Sequence, residues 1–127
     1  MEHIALICGG RTYQDRLTMF LELDRYHAAS PISLVFHGAA QGADALAEQW
    51  AQANRIPTRR FPADWTTHGR NAGPIRNTAM LDASPHVVLA FPTERSVGTY
   101  DTIRKAKRRG IAVFVFGDVA VQQKIFR

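Results

Sequence analysis

Four short apolar runs, each nearly continuous, constrain this chain more than any other feature. They are Ile4-Ala5-Leu6-Ile7-Cys8, Ile32-Ser33-Leu34-Val35-Phe36, Val87-Val88-Leu89-Ala90-Phe91 and Ala112-Val113-Phe114-Val115-Phe116. A strand with one wet face alternates apolar and polar residues. These runs do not alternate cleanly, which is the pattern of strands covered on both faces in a parallel sheet. Thr58-Arg59-Arg60-Phe61 reads as a fifth, weaker strand, and its polarity suits a sheet edge.

Parallel strands need long crossovers, and helical patterns fill the gaps between the runs. The clearest is Ala43 to Asn54, where Ala43, Leu46, Ala47, Trp50 and Ala51 recur at helical spacing and Glu48, Gln49 and Gln52 point away. Asp15 to His27 forms a second, with Leu17, Phe20 and Leu21 on one face. Pro74 suits the first turn of a third, Pro74 to Leu81. A fourth runs from about Gly98 to Arg109 and stops at Gly110, a good residue just past a helix end. The alternation predicts an α/β fold. It is a Rossmann-like, doubly wound parallel sheet of about five strands in the order 3-2-1-4-5, with helices on both faces.

Residues 1–117 read as a single domain without linker or repeat, followed by a tail, Asp118 to Arg127, that suits a short helix or a strand. With 46% hydrophobic and 21% charged residues the chain is globular in composition rather than disordered. Sixteen Lys and Arg against eleven Asp and Glu give a formal charge of +5, which favours anionic partners. The single cysteine excludes an internal disulfide and a cysteine-based zinc site. The histidines show neither HxH nor HExxH spacing, so no metal and no cofactor is expected. Met1-Glu2-His3 lacks a basic leader, and the apolar run after it stops at Gly9, too short for a signal peptide or a membrane span. A cytoplasmic protein with no membrane partner is expected.

In a doubly wound sheet, ligands bind outside the carboxyl ends of the strands, where helix N-termini converge. Three strand exits here carry glycine: Cys8-Gly9-Gly10-Arg11, His37-Gly38-Ala39-Ala40-Gln41-Gly42-Ala43-Asp44, and Phe91-Pro92-Thr93-Glu94-Arg95-Ser96-Val97-Gly98-Thr99. Any one of them is first of all turn chemistry. Together on one rim they surround an anion with backbone amides. Arg11 is either a fork for a phosphate or carboxylate or a solvated turn residue. Asp44 is either a first-turn cap or a ribose hydroxyl contact. Gly98-Thr99 open the last helix as a phosphate seat.

The stretch from Phe61 through Trp65 to Arg76-Asn77 reads as a long loop leading into the third helix, and loops of that length are often functional. Its Trp65, His68, Arg70, Asn71 and Arg76 suit a base and a phosphate, although Trp65 serves equally well as an anchor on the core. The basic run Arg104-Lys105-Ala106-Lys107-Arg108-Arg109 complements a helix dipole and is expected to lie away from the ligand rim. Cys8 reads as an inert core residue, and Met19 and Met80 as packing.

Taken in order, Gly9-Gly10-Arg11, His37 to Asp44, Phe61-Pro62-Ala63-Asp64-Trp65, Gly69-Arg70-Asn71-Ala72-Gly73-Pro74-Ile75-Arg76-Asn77, Ala90-Phe91-Pro92 and Gly98-Thr99 resemble the YspA-type branch of the SLOG superfamily. That superfamily is named for the Smf/DprA and LOG proteins. The resemblance covers about residues 4–116, and the stretch from Gly69 to Asn77 is its most diagnostic piece. It implies a Rossmann-like fold and recognition of nucleotides or nucleotide-derived ligands, with roles in sensing. LOG relatives cleave the N-glycosidic bond of cytokinin nucleoside monophosphates and often form dimers, and DprA relatives bind single-stranded DNA. Arg76 and Met80 resemble the Arg and Met of the LOG signature.

The PGGxGTxxE signature of LOG enzymes is broken in this chain. Thr93-Glu94 stand where paired glycines are expected, one extra residue precedes Gly98, and Thr102 occupies the position of the catalytic glutamate. The loss of that carboxylate favours binding over catalysis, with Asp101 and Glu94 as the acids left nearby. The expected function is binding or sensing of a nucleotide-like small molecule such as a nucleoside phosphate, ADP-ribose or an NAD-related compound. The expected site comprises Gly9, Gly10, Arg11, Gly38, Gly42, Asp44, Trp65, Arg70, Arg76, Asn77, Gly98 and Thr99. Within it, amides near Gly98-Thr99 and Gly9-Gly10 hold the phosphate, and Asp44 and Asn77 read ribose or base. The alternative is a LOG-like N-glycosidase (a phosphoribohydrolase) or a related phosphohydrolase acting on nucleoside monophosphates. A single-stranded DNA binder ranks behind both and predicts steep salt dependence. A homodimer is left open by the resemblance.

Overall fold

The computed structural model describes residues 2–117 and contains one five-stranded, wholly parallel sheet in the order β3-β2-β1-β4-β5. The strands are β1 (Ile4–Gly9), β2 (Leu34–His37), β3 (Thr58–Arg60), β4 (Val87–Phe91) and β5 (Ala112–Val115). The central β1 sets Ala5 opposite Val35 on one side and Val87 on the other, and its last residue, Gly9, lies opposite Phe91. The fold class and strand order are those the apolar runs predict.

Successive residues of β1 point to opposite faces. Ala5 and Ile7 join a core with Met19 and Leu23 of α1 (Arg16–Ala29) and Ala47 and Trp50 of α2 (Ala43–Ala53). Ile4, Leu6 and Cys8 join a second core with Met80 and Leu81 of α4 (Ala72–Asp82) and Ile103 and Ala106 of α5 (Val97–Arg108). Each large apolar side chain so buried contributes about 1.5–3 kcal/mol. Trp50 also ties α2 to α1, because its indole N–H donates to Asp24 Oδ1 at 2.8 Å.

Several expectations are corrected. The face of α1 toward the core carries Met19 and Leu23, while Leu17 is 81% exposed and Leu21 half exposed. This helix has apolar residues all round, so spacing did not choose a face. Asp15 stands outside α1 as its cap, accepting from Thr18 N–H at 3.0 Å and Thr18 Oγ1 at 2.6 Å, and the helix continues past His27 to Ala29. Ile32 is buried but precedes β2, its N–H being taken by His27 Nδ1 at 2.9 Å. β5 is not covered on both faces, since Ala112 and Phe114 are exposed, as an edge position allows.

The expected loop between Phe61 and Asn77 is mostly helical. Asp64 caps a short α3 (Trp65–His68) by accepting from Thr67 N–H at 3.1 Å, and a 3₁₀ turn, Gly69–Asn71, leads directly into α4. That helix starts at Ala72, two residues before Pro74, which still lies in the first turn, where a missing N–H costs nothing. The segment after Gly117, expected as a tail, lies outside the described residues. Among the described residues no helix is long and apolar enough to cross a membrane.

Candidate functional site

With strands ordered 3-2-1-4-5, the chain leaves β1 toward one edge of the sheet and later returns to its other side at β4. The carboxyl ends of β1 and β4 therefore form the crevice where doubly wound sheets bind ligands. A cavity of about 530 Å³ occupies this position, within the range of about 300–1,000 Å³ usual for small-molecule sites. Cys8 and Gly9 form its floor, α4 and the α3 segment one wall, and the start of α5 another.

The β2–α2 loop is built to hold one wall in place. His37, buried at the end of β2, directs Nε2 to Glu48 at 2.7 Å and accepts from Ala39 N–H through Nδ1 at 3.0 Å. Ala39 thereby keeps a left-handed backbone, φ 59°, a conformation that costs of order 1 kcal/mol for a residue with a Cβ. Gly42 is also left-handed, φ 71°, and a Cβ there would run into the carbonyl oxygens of Gly10 and Arg11. Gly38 is required for another reason: the Arg76 guanidinium packs against it and donates to its carbonyl oxygen, leaving no space for a side chain.

Arg76 reaches this carbonyl from α4, and its Nε donates to Asn77 Oδ1 at 2.9 Å. Burial lowers its affinity for a proton, Arg11 acts in the same direction, and the neighbouring Asp44 opposes both. Asp44 is itself buried, which pushes its carboxyl pKa upward. The Ala40 N–H, bonded to Oδ2 at 3.2 Å, and the charge of Arg76 offset part of that rise. Asp44 is thus a buried clamp on the β2–α2 loop as well as part of the cavity wall.

Asn77 is 3% exposed and its side-chain amide is fully engaged. Nδ2 donates to Gly98 O and to Asp101 Oδ2, both at 3.2 Å, and this joins α4 to α5. Asp101 also accepts from Lys105 Nζ at 2.9 Å, and Lys105 bonds Pro74 O at 3.2 Å. Thr102, buried, returns its hydroxyl to Gly98 O at 3.1 Å. In the first turn of α5 the N–H groups of Val97, Thr99 and Tyr100 bond backbone carbonyls, whereas the Gly98 N–H has no partner among the described residues. On the opposite side Trp65, 48% exposed, carries the Arg11 guanidinium 5.2 Å from its ring centroid.

Of the residues expected at the site, the fold brings Gly9, Arg11, Asp44, Trp65, Arg70, Arg76, Asn77, Gly98, Thr99 and Asp101 onto this cavity. Gly10, Gly38 and Gly42 stand behind it. Gly10 O accepts from Tyr13 and Ala43 N–H at 3.1 Å each. Glu94 lines a different cavity of about 670 Å³, beside Tyr13, Asp15 and Glu22. Cys8, Arg95 and Arg104 also line the cavity without having been expected at the site. Cys8 lies on the floor, with a thiol held protonated by burial first and the Asp44 charge second. Arg95 follows β4 in a segment already marked, without a spacing of its own.

Arg104 is the third, and it corrects the expectation that the basic run lies away from the rim. Helical side chains lean toward the helix N-terminus. From two turns inside α5, Arg104 therefore extends back to the cavity, with Nη2 4.0 Å from Asp101 Oδ1. Lys105 also departs from that expectation through its bonds to Asp101 and Pro74 O, while nearer the helix end Arg109 pairs with Asp82 at 2.7 Å.

Known proteins place this arrangement in context. A structure of DNA processing protein A (DprA) from Streptococcus pneumoniae superposes with a TM-score of 0.71 at 17% identity, over 94% of this chain and 52% of that one. This chain therefore spans about half the length of that protein, and the likeness is one of fold. The Gene 61 protein of Mycobacterium phage D29 is 42% identical over 119 residues, covering 89% of this chain and 95% of that one. Residues 4–68 match the model of the family described as YspA, cpYpsA-related SLOG. The chain belongs to the YspA, cpYpsA-related SLOG family.

Proposed function

We propose that this chain binds a nucleotide-like small molecule in the cavity between the ends of β1 and β4 and serves as a binding or sensing module. The observation that carries the reading is the composition of one cavity at the switch point of the sheet. It offers an exposed indole, Trp65, arginine forks including Arg11 and Arg70, and an unpartnered Gly98 N–H at a helix start. A base stacks on the first, and phosphate oxygens accept from the others. Membership of the SLOG family supports the same ligand class.

Tryptophan fluorescence tests the reading. The chain has two tryptophans, Trp50 at 1% exposure and Trp65 on the cavity. Titration with nucleoside 5′-phosphates and with ADP-ribose is expected to quench the emission saturably, and Trp65→Phe is expected to remove the response. A ligand at 100 times its Kd also adds about 2.7 kcal/mol of stability. A panel that produces neither quenching nor a rise in Tm rejects the proposal.

The enzymatic alternative, N-glycosidic cleavage of nucleoside monophosphates, draws on one observation: the Asp101 carboxylate lines the cavity. Its bonds to Asn77 and Lys105 already serve to fix the α4–α5 wall. Release of free base by the wild type, lost in Asp101→Asn, would favour this alternative over binding alone.

A further inference from the structure

The charge around the cavity exceeds what one phosphate neutralises. Five arginines line it, Arg11, Arg70, Arg76, Arg95 and Arg104, against two aspartates, Asp44 and Asp101. Asp44 lies in the field of Arg76 without a salt bridge to it among the described residues, and Asp101 pairs with Lys105 at 2.9 Å. Arg104 keeps only a 4.0 Å approach to Asp101, while Arg11, Arg70 and Arg95 make no salt bridge among the described residues. Like charges gathered around a cavity repel one another and weaken the fold unless something opposite is drawn in.

A phosphomonoester brings about −1.5 to −2 charges at pH 7, which leaves part of this surplus unmatched. The arginines also enter from separate elements. Arg11 follows β1 and lies over Trp65, whereas Arg95 precedes α5 and Arg104 reaches back along it. Resting on the nucleotide reading above, we infer that the cavity selects nucleotides that carry a pyrophosphate over those that carry one phosphate. One phosphate meets Arg11 and Arg70 near the Trp65 wall. The second meets Arg95, Arg104 and the Gly98 N–H at the start of α5. The planar guanidinium, which bonds phosphate through two parallel N–H groups, suits this division.

Calorimetric titration without divalent cations tests the inference, using the 5′-monophosphate and 5′-diphosphate of adenosine, guanosine and cytidine. For the base that binds best, the diphosphate is expected to bind on the order of tenfold tighter, the equivalent of one charge-assisted contact. Arg95→Ala and Arg104→Ala, both at exposed positions, are expected to shrink that ratio toward one. A monophosphate that binds as tightly as its diphosphate overturns the inference and leaves the nucleotide reading intact. A preference unchanged in both variants overturns the assignment to these arginines. Binding of none of the six overturns the inference, and the nucleotide reading falls with it when ADP-ribose also fails to bind.

Discussion

The Arg76 guanidinium spans the cavity wall from α4 to the Gly38 carbonyl and lies beside the buried Asp44. Its loss removes a cavity-facing charge, leaves the Gly38 carbonyl without this donor and takes away a charge that offsets the burial of Asp44. Arg76→Ala is therefore expected to lower stability by about 1–3 kcal/mol. Urea denaturation checks this, and the double variant with Asp44→Asn is expected to recover part of the loss, because the uncompensated buried charge is gone. An unchanged midpoint in Arg76→Ala would show that the bond to Gly38 contributes nothing. A cleaner test of ligand contact is Arg70, which is exposed and makes no salt bridge among the described residues. The sequence marks Arg76 as a candidate, but its bond to a carbonyl 38 positions away depends on tertiary approach that no local pattern records.

At the scale of elements, the joint between α2, β2 and β3 centres on Glu48. Burial alone would raise its pKa, but hydrogen bonds from His37, Gln52, Thr58 and Arg60 outweigh it and hold the carboxyl at about 2, below its ordinary 4.5. A carboxylate with a depressed folded value stabilises the fold above its unfolded value and loses that contribution as pH falls through the folded one. Glu48→Gln is expected to cost about 1–3 kcal/mol at neutral pH, and the gap to wild type should close between about pH 4.5 and pH 2. Denaturation curves across that window check the slope, and a gap independent of pH would contradict it. Elements differ in how far residues announce them. Three of the four apolar runs identify their strands because burial on both faces leaves a continuous signature, whereas the fourth, β5, reads the same although Ala112 and Phe114 are exposed. The four-residue α3 is too short to show periodicity, and only the capping Asp64 hints at it. Arg104 is misplaced although the start of α5 is legible to within a residue, because assigning the run to the helix end as a block leaves out the lean of a helical side chain toward the N-terminus.

For the whole molecule, topology and charge converge on the same place. The order β3-β2-β1-β4-β5 opens one crevice at the β1–β4 junction, and the arginines collect around it from the turn after β1, the 3₁₀ turn, α4, the β4–α5 connection and α5 itself. The order and the rim were legible in the sequence, because alternation of strands with helices leaves few topologies. The division of roles among the glycines was not. Gly9 meets the cavity, while Gly38 and Gly42 are needed for packing and backbone conformation behind it. The central claim is that a nucleotide occupies this crevice, and amide chemical-shift mapping by two-dimensional NMR tests it most directly. On titration with a nucleoside 5′-diphosphate, perturbed amides are expected to cluster at residues 9–12, 65–77 and 95–102. Those at the opposite end of the sheet, around His3, Ser33 and His86, should remain in place. Perturbations centred away from the β1–β4 junction, or none at saturating ligand, would contradict the account.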